Sequence, residues 1–316
     1  MSSGPGDLTG RHVWIDGALL PADGLHLSAF DRGFQLGDGV FETLRARAGR
    51  PTELAEHLAR LRHSAAGLDI TLAPKAEADL AAAVGTILAA EGLDAPDGDA
   101  SVRITVSRGT VLGRGLLPAE PAEPTIVVQA WAVAPPSAGH LERGLRLVVS
   151  AVRRDPANPI VALKTTSRAD YVYARLEARR AGADDALFLT VDGRLSEATS
   201  ANVFLVRRNE LATPALDCAI LPGTTRTWIL RWGAGAGLTP FEGSLAPADL
   251  AAADEAFLCS SVAGILPITS FQNAPIGAGR PGPWTAAARE AREAFIRDPG
   301  ADAGAAPVTG PEAPAA

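Results

Sequence analysis

Residues 134–139 (Ala-Pro-Pro-Ser-Ala-Gly) constrain the fold most, because they interrupt a succession of strand-like and helix-like segments. Proline and glycine at this density are typical of a linker between compact units. The chain has 316 residues, 47% of them hydrophobic, which is enough for a core on each side. We therefore predict an N-terminal domain over residues 11–134, an interdomain linker over 135–139 and a C-terminal domain over 140–298.

Strand and helix patterns alternate on the N-terminal side of the linker. Asp16-Gly17 lies between short runs of alternating apolar residues, which is a strong hairpin signal. Apolar residues at steps of three and four predict an amphipathic helix over residues 53–68, and an alanine-rich segment predicts another over 76–92. Residues 101–106 and 125–131 are typical of strands. This half is predicted to form one α+β unit.

The C-terminal side shows a similar mixture of patterns. We predict a strand from residue 145, a helix over 168–182 and a further helix after Pro222-Gly223. We also predict a hairpin in which residues 186–190 pair with 200–206 across the turn at Asp192-Gly193. Residues 299–316 contain few large apolar side chains, which predicts a disordered tail. The predicted fold class is α+β or α/β with two domains.

Composition argues against several classes of function. The net charge is −7 and no dense cluster of Lys and Arg occurs, so nucleic acid is not an expected partner. No apolar run reaches the roughly 18 residues that a membrane span needs. Cys218, Cys259 and five scattered histidines give neither a disulfide framework nor metal-ligand spacing. We expect a cytoplasmic protein without a metal that acts on a small molecule.

Chemistry that requires an amine has two candidates, because Lys75 and Lys164 are the only lysines of the chain. Lys164 follows the apolar run Ile160-Val-Ala-Leu, which we interpret as a strand that leads into a helix. Partial desolvation at such a junction would make the amine a usable nucleophile and proton carrier. A surface lysine at a strand end is the alternative interpretation.

Other positions carry groups that suit a ligand site. Glu197 stands among small and polar residues, so it is either a carboxylate facing a cofactor or a solvated acid beyond a hairpin. Leu221-Pro-Gly-Thr-Thr-Arg predicts a helix start, where free N–H groups and the hydroxyls of Thr224 and Thr225 suit a phosphate. A simple capping turn is the alternative. Arg60 is either a phosphate anchor or part of a solvated helix face.

Six segments in this order resemble the fold-type IV, or class IV, pyridoxal phosphate enzymes, from about Val13 to Ile268. They are Asp31-Arg-Gly-Phe-Gln-Leu-Gly-Asp-Gly-Val-Phe-Glu-Thr, Glu56-His-Leu-Ala-Arg-Leu, Leu163-Lys-Thr, Glu197 through Asn202-Val-Phe, Ile220-Leu-Pro-Gly-Thr-Thr-Arg and Asp254-Glu-Ala-Phe. This family comprises branched-chain and D-amino acid transaminases and 4-amino-4-deoxychorismate lyase. The resemblance implies two α/β domains, pyridoxal 5′-phosphate as the cofactor and a homodimer.

The resemblance also implies a role for each matching residue. Lys164 corresponds to the Schiff-base lysine, which also serves as the general base, and Glu197 to the acid that pairs with the pyridine nitrogen. Arg60 matches the phosphate-binding arginine. The other phosphate ligands that the resemblance implies are Thr224, Thr225 and Ser261.

The lyase is the member that the sequence resembles most. Branched-chain enzymes usually have Phe-Glu-Gly, where this chain has Phe41-Glu-Thr, and a tyrosine where it has Ala169. Ser107-Arg-Gly-Thr-Val-Leu-Gly-Arg-Gly is similar to the Ser-Arg-Gly and Gly-Arg-Gly of the lyases, with one extra residue between them. We expect Thr43 to orient the departing group and Phe34 and Arg114 to bind substrate. An exposed loop arginine is the alternative interpretation of Arg114.

Two other functions stay open from the sequence. One is a class IV aminotransferase that uses D- or branched-chain amino acids with a 2-oxo acid acceptor, and it needs the same Lys164. The other is a non-catalytic protein that binds a cofactor or small molecule on this scaffold. The latter predicts no covalent bond between pyridoxal phosphate and the protein.

Overall fold

The computed structural model describes residues 8–113, 115–118, 121–134, 136 and 138–298. Contacts divide the chain into two compact units. The first runs to Ala134 and also includes Leu163–Ser167, whereas the second contains the remainder. Among the described residues, no helix is long and apolar enough to cross a membrane. Arg114 and the predicted tail over residues 299–316 lie outside the described residues.

The first unit is built on an antiparallel sheet with two helices packed against one face. Within the described residues the sheet has six strands in the order β2-β1-β6-β5-β3-β4. The strands are β1 His12–Ile15, β2 Ala18–Pro21, β3 Gly39–Arg47, β4 Arg50–Pro51, β5 Asp99–Ser107 and β6 Thr125–Ala132. The helices are α1 Arg32–Leu36, α2 Leu54–Gly67 and α3 Ala76–Ala90.

Sequence periodicity accounts for the core of the first unit. Every second residue of β5 points to the helices, so Val102, Ile104 and Val106 are fully buried. Leu61 of α2 and Val84 of α3 belong to the same apolar cluster. The helices predicted over 53–68 and 76–92 are therefore confirmed to within two residues at each end, because one apolar stripe on each covers the sheet.

Leu163–Ser167 belongs with the first unit, although the sequence analysis assigned it to the C-terminal domain. The Phe41 N–H donates to the Lys164 carbonyl at 2.9 Å, and the Thr166 N–H donates to the Gly39 carbonyl at 2.8 Å. β4 is only two residues long and pairs with Ala46 and Arg47 at the end of β3. The Gly39 end of β3 is therefore not paired with β4, and its backbone can bond to another segment. The apolar run Ile160-Val-Ala-Leu carries no information about pairing with β3, so the sequence could not predict it.

The run before Lys164 is not a strand, which corrects the sequence interpretation. Pro159–Ala162 forms a single 3-10 turn, and residues 163–168 are neither helical nor part of a regular strand. Proline fixes its own φ near the helical value, which favours such a turn over an extended run. The predicted helix begins at Ala169 and ends at Arg180.

The second unit is built on a mixed sheet. Within the described residues it has nine strands in the order β12-β11-β10-β13-β14-β7-β8-β9, with β15 paired to β14. The strands are β7 Leu145–Arg154, β8 Asp185–Thr190, β9 Leu195–Ala198, β10 Asn202–Arg207, β11 Glu210–Pro214, β12 Thr239–Gly243, β13 Glu255–Ser260, β14 Gly264–Phe271 and β15 Ala274–Pro275. The helices are α4 Ala138–Arg143, α5 Ala169–Arg180, α6 Thr224–Gly235, α7 Pro247–Ala251 and α8 Pro283–Arg297.

One local prediction for this unit was wrong. The strand that follows the turn at Asp192-Gly193 is β9, which pairs with β8, whereas β10 pairs with β11 and β13. A second turn at Ser200 and Ala201 separates β9 from β10, so the single predicted hairpin is two elements. The segment predicted as linker also overlaps α4, which begins at Ala138.

Candidate functional site

Lys164 lies half-buried against β3 and α2 in the first unit. Its N–H donates to the Ser64 hydroxyl at 3.1 Å, and its Nζ lies 4.8 Å from the centroid of the Phe41 ring. The other lysine, Lys75, is exposed at the start of α3. Lys164 is therefore the lysine with a built environment around its amine.

A second cation, Arg103, lies beside Phe41, and Thr43 is on the same face of the sheet. Cζ of Arg103 lies 3.8 Å from the Phe41 centroid, and Arg103 pairs directly with Thr43 across β5 and β3. Side chains alternate along a strand, so Phe41 and Thr43 share the face opposite the helices. Sequence reasoning missed Arg103, because an arginine on a polar strand face resembles a solvated one.

Arg60 lies on α2 in a buried cluster with Glu42 and His57. Arg60 donates twice to the Glu42 carboxylate, from Nε at 2.6 Å and from Nη2 at 2.8 Å, and His57 Nδ1 lies 2.7 Å from the same carboxylate. Burial raises the pKa of Glu42, but Arg60 and His57 outweigh it and lower that pKa to about 2. Glu42 is thus ionised, and a carboxylate only accepts, so His57 Nδ1 carries the shared proton.

Glu197 lies on β9 with its side chain buried in the second unit. One carboxylate oxygen accepts from Arg154 Nη2 at 3.1 Å. The other accepts from the Leu221 N–H at 2.9 Å and from Asn202 Nδ2 at 3.3 Å. The solvated acid considered from the sequence is therefore not what the fold provides, because donors from three other segments hold this carboxylate in place.

Arg154 and Tyr171 extend the surroundings of Glu197. Arg154 Nη2 donates to the Tyr171 hydroxyl at 2.6 Å. Burial lowers the pKa of Arg154, but the Glu197 carboxylate and the contact with Tyr171 outweigh it, so that pKa is raised. Burial and Glu197 together raise the pKa of Tyr171. The sequence contained no signal for Arg154, and Tyr171 received no role, because neither stands in a motif.

The start of α6 brings three of the predicted residues together. Gly223 is the N-cap, Thr224 and Thr225 are the first helical residues, and the Thr224 and Ser261 hydroxyls are 3.3 Å apart. A Cβ on Gly223 would come within 2.1 Å of Asn202 Oδ1, so a larger residue at this turn would displace the Asn202 amide. The same Asn202 donates to Glu197, which connects the helix start to the buried carboxylate.

Phe34, predicted to bind substrate, lies on α1 and is 79% exposed. Neighbouring apolar side chains are exposed as well, among them Phe30 and Leu36. The structure therefore places Phe34 on an apolar surface of the first unit. Its role in substrate binding stays a prediction.

The chain belongs to the class IV aminotransferase family. The model of this family, described as "Amino-transferase class IV", matches residues 39–271. A Methanocaldococcus jannaschii protein whose name assigns it to the branched-chain-amino-acid aminotransferases is 34% identical, over 81% of this chain and 86% of its own length. The aminodeoxychorismate lyase of Bacillus subtilis is 29% identical, over 84% of this chain and 88% of its own length. D-alanine aminotransferases are also among the relatives. The chain is thus an enzyme of this family.

Solved structures of the family share the fold of this chain. A branched-chain amino acid aminotransferase from T.th., solved with pyridoxamine 5′-phosphate, has a TM-score of 0.84 and 26% identity, covering 91% of this chain and 94% of that one. The two-domain fold-type IV architecture is confirmed. Pyridoxal 5′-phosphate is the cofactor of the family.

The residues of this chain fit that cofactor. A pyridoxal phosphate site needs an amine, an acid for the ring nitrogen and donors for the phosphate. The first unit provides a half-buried amine on Lys164. The second unit provides the buried carboxylate of Glu197 and the α6 start at Gly223, with the Thr224 and Ser261 hydroxyls beside it. The chemistry of these groups matches what the cofactor requires.

Proposed function

We propose that this enzyme is a 4-amino-4-deoxychorismate lyase, which releases 4-aminobenzoate and pyruvate in a step towards folate. The observation that supports it is the placement of Thr43, which lies directly across from Arg103 on the sheet face where Phe41 contacts Lys164 Nζ. An amine and a guanidinium thus lie beside one aromatic ring, and Thr43 is on the same face of the sheet. Branched-chain enzymes usually have glycine at the position of Thr43.

The cofactor-binding residues that we propose are the ones identified by the family resemblance. When bound, pyridoxal phosphate supplies an electron sink for the charge that develops when a bond to the neighbouring carbon breaks. Glu197 would keep the proton of the pyridine nitrogen in place, because Arg154, Asn202 and Leu221 hold its carboxylate. The phosphate would bind at Arg60, Thr224, Thr225 and Ser261.

Lys164 would move the proton during the reaction. Its Nζ takes the proton from the ring carbon that carries the substrate amino group. The C–O bond to the enolpyruvyl group then breaks, the ring becomes aromatic, and Lys164 returns the proton to the departing enolpyruvate, which gives pyruvate. The Thr43 hydroxyl would orient that group. These steps account for every proton and electron pair.

A carboxylate of the substrate needs a cation to bind it. Arg103 is supported by its position opposite Thr43 and by its contact with the Phe41 ring, because two cations near one ring favour an anion beside them. Arg114 remains the candidate from the sequence, since a planar guanidinium matches a carboxylate. Phe34 is retained as a proposed substrate contact.

A class IV aminotransferase is the second candidate, because the relative with 34% identity is named as a branched-chain enzyme. One experiment separates the two. Purified enzyme is given aminodeoxychorismate and, separately, D-alanine or leucine with 2-oxoglutarate. We expect 4-aminobenzoate to form, and Thr43→Gly to slow it by about tenfold or more while Ser101→Ala has no effect. Amino-group exchange without any 4-aminobenzoate would exclude the lyase and support the second candidate.

We also propose that the enzyme is a homodimer that acts in the cytoplasm. Exposed apolar side chains are concentrated in two segments of the first unit. A hydrogen bond from the Val111 N–H to the Phe30 carbonyl connects these segments. The exposed side chains include Leu25, Phe30, Phe34, Leu112, Leu116 and Leu117. Apolar surfaces of this kind favour association with another chain. The pair of cysteines without disulfide spacing suits a reducing compartment.

The oligomeric state can be measured by light scattering during gel filtration. We expect a dimer, and a monomer for the double variant Phe34→Glu with Leu116→Glu. Val191→Glu serves as the control, because Val191 is an exposed apolar residue of the second unit. A monomeric wild type, or a dimer that survives the double variant, would refute the proposed interface.

A further inference from the structure

Arg292 is a fully buried cation on α8, outside residues 39–271 that match the family. Its Cζ lies 5.2 Å from the ring centroids of both Trp228 and Phe295. These rings belong to the apolar cluster between α6, α8 and the sheet. Burying a guanidinium in such surroundings is costly unless its charge and its donors are used.

Arg292 reaches the start of α6 through Thr225. Its Nη2 donates to the Thr225 hydroxyl oxygen at 3.2 Å, and Thr225 is the second residue of that helix. A hydroxyl has one proton of its own. Because the Thr225 oxygen accepts from Arg292, its proton remains available to donate to another acceptor. The first-turn N–H groups of the helix have no acceptor within the helix and point out of the same end.

We propose that Arg292 is a positioning residue for the cofactor phosphate, acting through Thr225. It orients the Thr225 hydroxyl as a donor and adds a positive charge behind the positive end of the α6 dipole. In a low-dielectric interior this charge is weakly screened, so a phosphate dianion at the helix start stabilises it in return. The proposal rests on the phosphate-binding role that we assign to Thr224 and Thr225.

The experiment compares two forms of the cofactor on the apoenzyme. Pyridoxal phosphate and pyridoxal differ only in the phosphate, so the dissociation constant of pyridoxal divided by that of pyridoxal phosphate reports on phosphate recognition without any turnover. We expect Arg292→Met to weaken pyridoxal phosphate binding by about tenfold and to leave pyridoxal binding unchanged. Arg289→Met is the matched control, because Arg289 is a half-buried arginine on the same helix.

Further variants separate positioning from simple support of the fold. Thr225→Val should lower the same ratio, and the double variant with Arg292→Met should be no worse than the weaker-binding single variant, because both remove one interaction. Arg292→Lys keeps the charge, so its ratio should lie between those of the wild type and Arg292→Met. This variant also provides a folded alternative if Arg292→Met unfolds. Circular dichroism checks the fold of each variant.

The outcomes distinguish this inference from the proposed cofactor site. Loss of affinity for both ligands equally, or an unchanged ratio in Arg292→Met and Thr225→Val, would overturn the role of Arg292. In that case Thr224→Ala still reports on the phosphate site itself. A wild-type enzyme that binds pyridoxal as tightly as pyridoxal phosphate would instead refute the proposed phosphate site.

Discussion

Arg154 and Glu197 form a buried ion pair in the second unit, with 3.1 Å between Nη2 and Oε1. Removing one partner leaves the other charge buried and uncompensated. We therefore expect Arg154→Met to destabilise the enzyme by about 3 kcal/mol and to weaken cofactor binding. Chemical denaturation and a cofactor titration measure the two effects. Arg146→Met on the same strand is the control, because Arg146 is exposed; an equal effect of both variants would contradict the account.

Tyr171 provides a spectroscopic test of the same surroundings. Its pKa is raised by burial and by Glu197, so the phenol should ionise later than an ordinary tyrosine. The chain has only two tyrosines, and an alkaline titration of tyrosinate absorbance can follow them. We expect a late step that disappears in Tyr171→Phe and remains in Tyr173→Phe. A late step that persists in Tyr171→Phe would show that the assignment is wrong.

The Glu42 cluster should make stability depend on pH in the acid range. The pKa of Glu42 falls from 4.5 to about 2 on folding, so its contribution is fully present above about 4.5 and is lost as the pH falls through 2. We expect Glu42→Gln to cost about 3 kcal/mol near pH 7 and progressively less below pH 4.5. Urea unfolding at several pH values measures this dependence.

A surface ion pair provides the control for that experiment. Glu77 pairs with Arg62 and is half exposed, so Glu77→Gln should change the free energy of unfolding by less than about 1 kcal/mol at any pH. If the cost of Glu42→Gln did not shrink in acid, Glu42 would not be the ionised centre of its cluster.

Gly223 tests the fit between the α6 start and Asn202. A methyl group there would come within 2.1 Å of Asn202 Oδ1, which should displace the amide that donates to Glu197. We expect Gly223→Ala to destabilise the enzyme by about 1–3 kcal/mol and to weaken cofactor binding. Gly235→Ala at the other end of α6 has open space around it and should be neutral or stabilising. Equal thermal midpoints for the two variants would disagree with this geometry.

The sequence predicted the elements that local pattern determines. Apolar periodicity predicts helices α2 and α3, and Pro222-Gly223 predicts the turn before α6. Each of these signals is a property of neighbouring residues. The motif resemblance likewise identified Lys164 and Glu197 as candidate site residues.

What could not be predicted depends on partners far along the chain. The pairing of Lys164 with β3 joins residues more than a hundred positions apart, and no local pattern encodes it. Arg154 and Arg292 are buried cations whose partners come from other elements, whereas a sequence shows only that an arginine is usually solvated. The pairing of β8 with β9 was missed because the turn at Ser200 has no glycine or proline to mark it.

Because the chain has only two lysines, the proposed role of Lys164 in holding the cofactor can be tested directly. Enzyme loaded with pyridoxal phosphate is reduced with borohydride, which fixes the cofactor to the amine that holds it, and is then digested for peptide mass spectrometry. Lys164→Arg, which keeps the positive charge, serves as the unlabelled control. We expect the phosphopyridoxyl mass on the Lys164 peptide and none on Lys75. A label on Lys75, or no label in folded wild-type enzyme, would refute this role of Lys164.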